Sequence, residues 1–110
     1  MSEKRRAFLD LLNVGKVMIH LDARVPGVEV PDHLQSDPQL RLDFSYSFNL
    51  PLFHVEDDAI KATLSFGGNP FTCVIPWRAV YGMNSHVTDA VKFWPESVPA
   101  EVMQKAAAMA

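Results

Sequence analysis

Apolar and polar residues alternate with a period of two over several short stretches of this chain, most clearly from Ile60 to Phe66. There Ile60, Ala62, Leu64 and Phe66 are apolar, whereas Lys61, Thr63 and Ser65 are polar. A strand with one buried face has this signature. A second apolar run, Phe71 to Ile75, follows Gly67, Gly68, Asn69 and Pro70, residue types that adopt positive φ or fix a turn. Together they predict a β-hairpin with a loop of about four residues. The paired glycines serve either as a simple turn or as bare backbone that a neighbouring strand or bound peptide can approach closely.

Elsewhere the pattern changes period. Ala7, Phe8, Leu11 and Leu12 fall on one face at helical spacing, opposite Lys4, Arg5, Arg6 and Asp10, with Ser2 as a cap and Asn13 or Gly15 as a stop. A helix this short is marginal alone, so its apolar stripe must lie on the domain or on a second copy of the chain. Val17, Ile19 and Leu21 alternate with Met18, His20 and Asp22, predicting a strand with His20 on its more polar face. Val25 to Pro31 holds a tiny alternating run between prolines, which predicts a short edge strand blunted at both ends. Leu40, Leu42, Phe44 and Tyr46 mark the next strand, and Phe48 to Asp58 a loop with apolar anchors and an acidic turn. After the hairpin, Pro76 to Val80 predicts one helical turn, Tyr81 to Met83 an extended run, and Val91 to Phe93 a last short strand.

The fold expected is mainly β with one N-terminal helix: a small, strongly bent antiparallel sheet or a partly open barrel. Residues 1–96 form the domain, and 97–110 a flexible alanine-rich tail.

Composition narrows the function. A net charge of −3 provides no basic field to hold nucleic acid. The single cysteine, Cys73, excludes an internal disulfide, the chain opens without an export leader, and no apolar run nears the about 20 residues that cross a bilayer. A cytoplasmic protein without a membrane partner is expected. His20, His33, His54 and His86 are scattered without a second ligand at metal spacing, so no metal and no cofactor are predicted. Cys73 lies in an apolar strand as a small hydrophobe rather than a nucleophile. Glu56, Asp57 and Asp58 form a solvated turn, and Gly67-Gly68 lacks the lysine and helix of a phosphate loop. No catalytic residue emerges. A proline-framed edge, a diglycine loop and the aromatics Phe44, Tyr46, Phe66, Phe71 and Trp77 provide the parts of a groove for an extended peptide, unless those aromatics are core.

Three ordered strings, Leu21 to Pro31 (LDARVPGVEVP), Thr63 to Pro70 (TLSFGGNP) and Val74 to Tyr81 (VIPWRAVY), make the chain resemble the stringent starvation protein B family. These bacterial adaptors deliver ssrA-tagged proteins to the ClpXP protease. The resemblance implies an Sm-like bent barrel core and a homodimer built by the N-terminal helix, with Phe8, Leu11 and Leu12 facing their symmetry mates. It places the tag groove near Val28, Val30, Phe66, Gly67 and Gly68. It implies a tag peptide and the ClpX unfoldase as partners, and tethering without chemistry. The family's long polar tail with its docking motif has no counterpart after Met103, so tag binding is implied more directly than delivery. The competing expectations are an Sm-like RNA-binding module, disfavoured by the acidic charge, and, behind it, a small hydrolase.

Overall fold

Residues 2–109 are described by the structure, a computed structural model. Helix α1 (Glu3–Val14) starts at Ser2, whose hydroxyl accepts the Arg5 N–H, and stops at Gly15, whose N–H returns to the Leu11 carbonyl. The strands are β1 (Val17–Leu21), β2 (Leu40–Phe44), β3 (Phe53–Val55), β4 (Ala59–Phe66), β5 (Asn69–Pro76), β6 (Val80–Ser85) and β7 (Val91–Phe93), and a second helix, α2, covers Ala100–Met109. All pair antiparallel, in one sheet of order β2-β1-β6-β7 and another of order β3-β4-β5. The fold is therefore mainly β with an N-terminal helix, as expected, but it is two small sheets and not a closed barrel. The chain crosses from one sheet to the other at Pro76 and a single turn, Trp77–Ala79. There the Asp22 N–H bonds the Ala79 carbonyl at 3.0 Å. β6 carries Tyr81 as an extra residue, since His20 pairs with Gly82 and Leu21 with Val80, and such a bulge bends the strand.

Phe8 lies at the centre of the core and is fully buried. Its ring meets Phe44 edge-on at 5.5 Å and lies 5.8 Å from Trp77 and 6.4 Å from Phe53. Polar groups of α1 fasten the same junction: Lys4 Nζ donates to the Trp77 carbonyl at 3.0 Å and to Ser97 Oγ at 2.8 Å, and Arg5 Nε to the Val55 carbonyl at 3.2 Å. Burial pushes the Lys4 ammonium below its usual pKa, and the negative charges of Glu96 and Glu3 offset part of that shift.

Four expectations need correction. The hairpin loop has two residues, Gly67 and Gly68, not four: Asn69 and Pro70 belong to β5, paired with Phe66 and Ser65. β5 is an edge strand, where proline costs the sheet no hydrogen bond. Val25 to Pro31 is not a strand but a single bridge, Glu29 to Val74, with reciprocal hydrogen bonds of 2.9 and 3.0 Å. The Gln35 side chain holds the rest of that segment, donating to the Ala23 and Val28 carbonyls at 2.7 and 3.2 Å. β3 lies inside the stretch expected to be loop, and Tyr46 has left β2 for a short turn. At the alanine-rich end, whose composition favours a helix, α2 forms and its Glu101 pairs with Arg24. Phe8, Leu11 and Leu12, expected at a two-fold interface, are 0%, 6% and 2% exposed within one chain.

Replacing Phe8 leaves a void that three rings cannot fill. Phe8→Ala should therefore lower unfolding stability by about 3–5 kcal/mol in urea denaturation, with the m-value unchanged.

Candidate functional site

A cleft of about 410 Å³ opens where the two sheets fail to meet, between β2 and the far end of β4. Leu42 and Leu64, both nearly buried, form its apolar floor. The segment after β2 builds one wall. Ser45 is buried and its hydroxyl accepts the Ser47 N–H at 3.2 Å, which caps the turn Tyr46–Phe48. Asn49 then adopts φ 52°, a left-handed conformation that asparagine tolerates, and reverses the chain. Phe48 and Leu50 are thereby placed over the cleft, with Phe48 44% exposed.

Backbone pairing leaves both sides of this cleft unpaired. Antiparallel strands alternate residues that bond one neighbour with residues that bond the other. On β1, the Ala23 N–H bonds Asp37 on the β2 side, and the Asp22 N–H bonds Ala79 on the β6 side. Odd-numbered β1 residues therefore serve β2, and Arg41 and Asp43, opposite His20 and Met18, turn their own N–H and C=O groups to the free edge. On β4, the last bond toward β3 runs from the Thr63 N–H to the Leu52 carbonyl at 2.9 Å. Two residues on, Ser65 presents its backbone groups in the same direction beyond the reach of β3, and it lines the cleft. The site is a trough with an apolar floor between two strand edges that still have hydrogen bonds to give.

The charged groups at its rim are Arg41 and Asp43. Asp43 Oδ1 accepts from His86 Nε2 at 2.6 Å.

The structure divides the residues expected at the groove. Phe66 lines the trough, and Gly67 and Gly68 follow it, open to solvent, with no atom beyond their chain neighbours within 4 Å of where a Cβ would stand. Their φ values of 59° and 87° are those of a tight hairpin turn, which glycine adopts without strain. Val28 and Val30 sit elsewhere: they flank Glu29 on the opposite, β5 edge of the sheet, 6% and 2% exposed, with side chains in the core. Of the aromatics proposed for a groove, Phe44 and Trp77 are core, whereas Tyr46 and Phe71 are 55% and 37% exposed. Arg41, Leu42, Phe48, Leu50 and Ser65 were not singled out by sequence. The available signal was the exposed Tyr46-Ser47-Phe48 turn directly after a regular strand.

Other chemistry is sparse. Burial pushes the Cys73 thiol up to about 11, far from a thiolate nucleophile at neutral pH. His20 Nε2 lies 2.9 Å from Asn84 Oδ1, and His54 lies near Glu56 at 4.0 Å. Among the described residues no three His, Cys, Asp or Glu are grouped to hold a metal, and no helix is long and apolar enough to cross a membrane.

No curated protein matches the chain. A family model described as stringent starvation protein B matches residues 8–110. That span takes in both walls and the floor of the trough, the hairpin and all but the start of α1, and on it the chain belongs to the stringent starvation protein B family.

Proposed function

We propose that this protein is a non-catalytic adaptor that binds ssrA-type degradation-tag peptides in the trough and brings tagged proteins to the ClpXP protease. Family membership supports the adaptor role in general. The observation that carries peptide binding is the pair of unpaired strand edges, Arg41–Asp43 and Ser65, on either side of an apolar floor. An extended peptide gains backbone hydrogen bonds from such edges whatever its sequence, and selectivity from the side chains it drops into the floor. It needs no nucleophile, metal or cofactor. Captured this way, a tagged protein is held at high local concentration near the ClpX unfoldase, which acts on the part of the tag left free.

RNA binding by an Sm-like module is the weaker reading. Arg41 is the one cation among the trough residues, where single-stranded RNA needs a row of cations interleaved with stacking rings.

A second copy of the chain is also proposed. With Phe8, Leu11 and Leu12 already covered, a two-fold contact through α1 falls to its outward residues, among them Val14, 56% exposed. Val87, 60% exposed and packed over Gly15, extends that apolar surface.

Fluorescence anisotropy with a labelled ssrA-type peptide and a short single-stranded RNA at physiological salt should show saturable peptide binding, and RNA binding alone would reject the adaptor reading. Ser65→Pro removes an N–H that the sheet does not use, so it should weaken the peptide at least tenfold while leaving the melting temperature within a few degrees. Gly67→Asn separates the two roles of the diglycine, since asparagine keeps the turn. Unchanged stability with weaker peptide binding is expected if bare backbone faces the peptide, and unchanged affinity would assign the glycines to the turn alone. Val14→Asp should convert a dimer to monomers in sedimentation velocity, and an unaltered coefficient would remove α1 from the interface.

A further inference from the structure

Arg41 stands on the rim of the trough with its guanidinium uncommitted. Among the described residues no carboxylate lies within ion-pair distance of it, although Arg5, Arg24 and Lys61 each have an acidic partner and His86 takes Asp43. Its near neighbour in the wall is thus the one acidic group of the trough, and that group already accepts a hydrogen bond from His86. The strand pleat decides where Arg41 acts. Leu42 points to the floor, and Arg41 and Asp43, its flanking residues, point the other way. A peptide laid against this edge alternates in the same manner: a side chain that enters the floor between Leu42 and Leu64 is followed and preceded by side chains directed to the rim.

Resting on the peptide-binding reading, we infer that Arg41 is a specificity-determining residue that selects peptides with an acidic side chain next to the apolar residue seated in the trough. A guanidinium offers a planar fork of donors that matches a carboxylate with two parallel hydrogen bonds. At a partly exposed rim, that match raises the association rate and discriminates between peptides more than it deepens binding, and salt weakens it. An amide at the same peptide position keeps the shape and loses the charge, and a lysine there faces Arg41 with like charge. The preference therefore runs Asp or Glu over Asn or Gln, with Lys or Arg least favoured.

The test uses three labelled ssrA-type peptides that differ at one position beside the apolar anchor, carrying Asp, Asn or Lys, titrated against the wild-type chain, Arg41→Gln and Arg41→Glu. The wild type should favour Asp over Asn by about two- to fivefold at low salt, with the ratio shrinking as ionic strength rises. Arg41→Gln should bind the Asn peptide as the wild type does and lose the preference. Arg41→Glu should reverse the order and favour Lys, a rescue that a merely structural change would not produce. Wild-type binding to all three with equal affinity, or an Asp preference that survives in Arg41→Gln, overturns the role of Arg41 and leaves peptide capture standing. Absence of binding to any of the three overturns both.

Discussion

A short helix fills the seam between two sheets that are each too small to enclose a core. Three strands and four strands bury little surface by themselves, and closing them into a barrel would require β2 to pair with the β3–β4 side. Phe8 removes that requirement. Its ring, set among Phe44, Phe53 and Trp77, belongs to neither sheet and packs against both. Lys4 then adds a second donor to the Trp77 carbonyl at the crossover, beside the Val80 N–H, and Arg5 bonds the Val55 carbonyl on β3. The seam is stable without hydrogen-bond closure, and the groups that closure would have consumed remain available.

Those groups connect the fold to its proposed work. Exposed strand edges are ordinarily a hazard, because any extended chain can pair with them. Here the edges at Arg41–Asp43 and Ser65 both border the cleft whose floor is Leu42 and Leu64, which is where the proposed peptide would lie. A protein whose partner is an unfolded tail needs this kind of surface: backbone groups that recognise extension, and a few side chains that choose among sequences.

Much of the architecture was legible because burial on one face writes a period of two. β1, β2 and β4 could be read from Val17-Ile19-Leu21, Leu40-Leu42-Phe44 and Ile60 to Phe66, and α1 from a period near four. The errors arose where local signals had two meanings. Asn69-Pro70 is turn chemistry, yet it serves a strand because β5 has a free edge. The alternation in Val25 to Pro31 reads as a strand, but its prolines leave Glu29 as the one residue that pairs. An apolar stripe on α1 reads the same whether it meets a second chain or its own core, and within one chain Phe8, Leu11 and Leu12 are buried. The trough was not legible. Its floor joins residues 42 and 64, its edges exist because β3 stops short, and neither fact has a signature along the chain. Phe66 and the diglycine, expected from the family pattern, lie in and beside the trough, whereas Val28 and Val30, expected from the same pattern, lie across the sheet.

The far side of the hairpin carries a different consequence. Along the outer edge of β5, Pro70 and Pro76 bracket the strand and Glu29 occupies Val74, leaving the backbone of Thr72 as the remaining place for a newcomer. One isolated residue cannot seed a ladder. A chain proposed to take up loose polypeptide on one margin is thus protected on the other from joining its own kind end upon end.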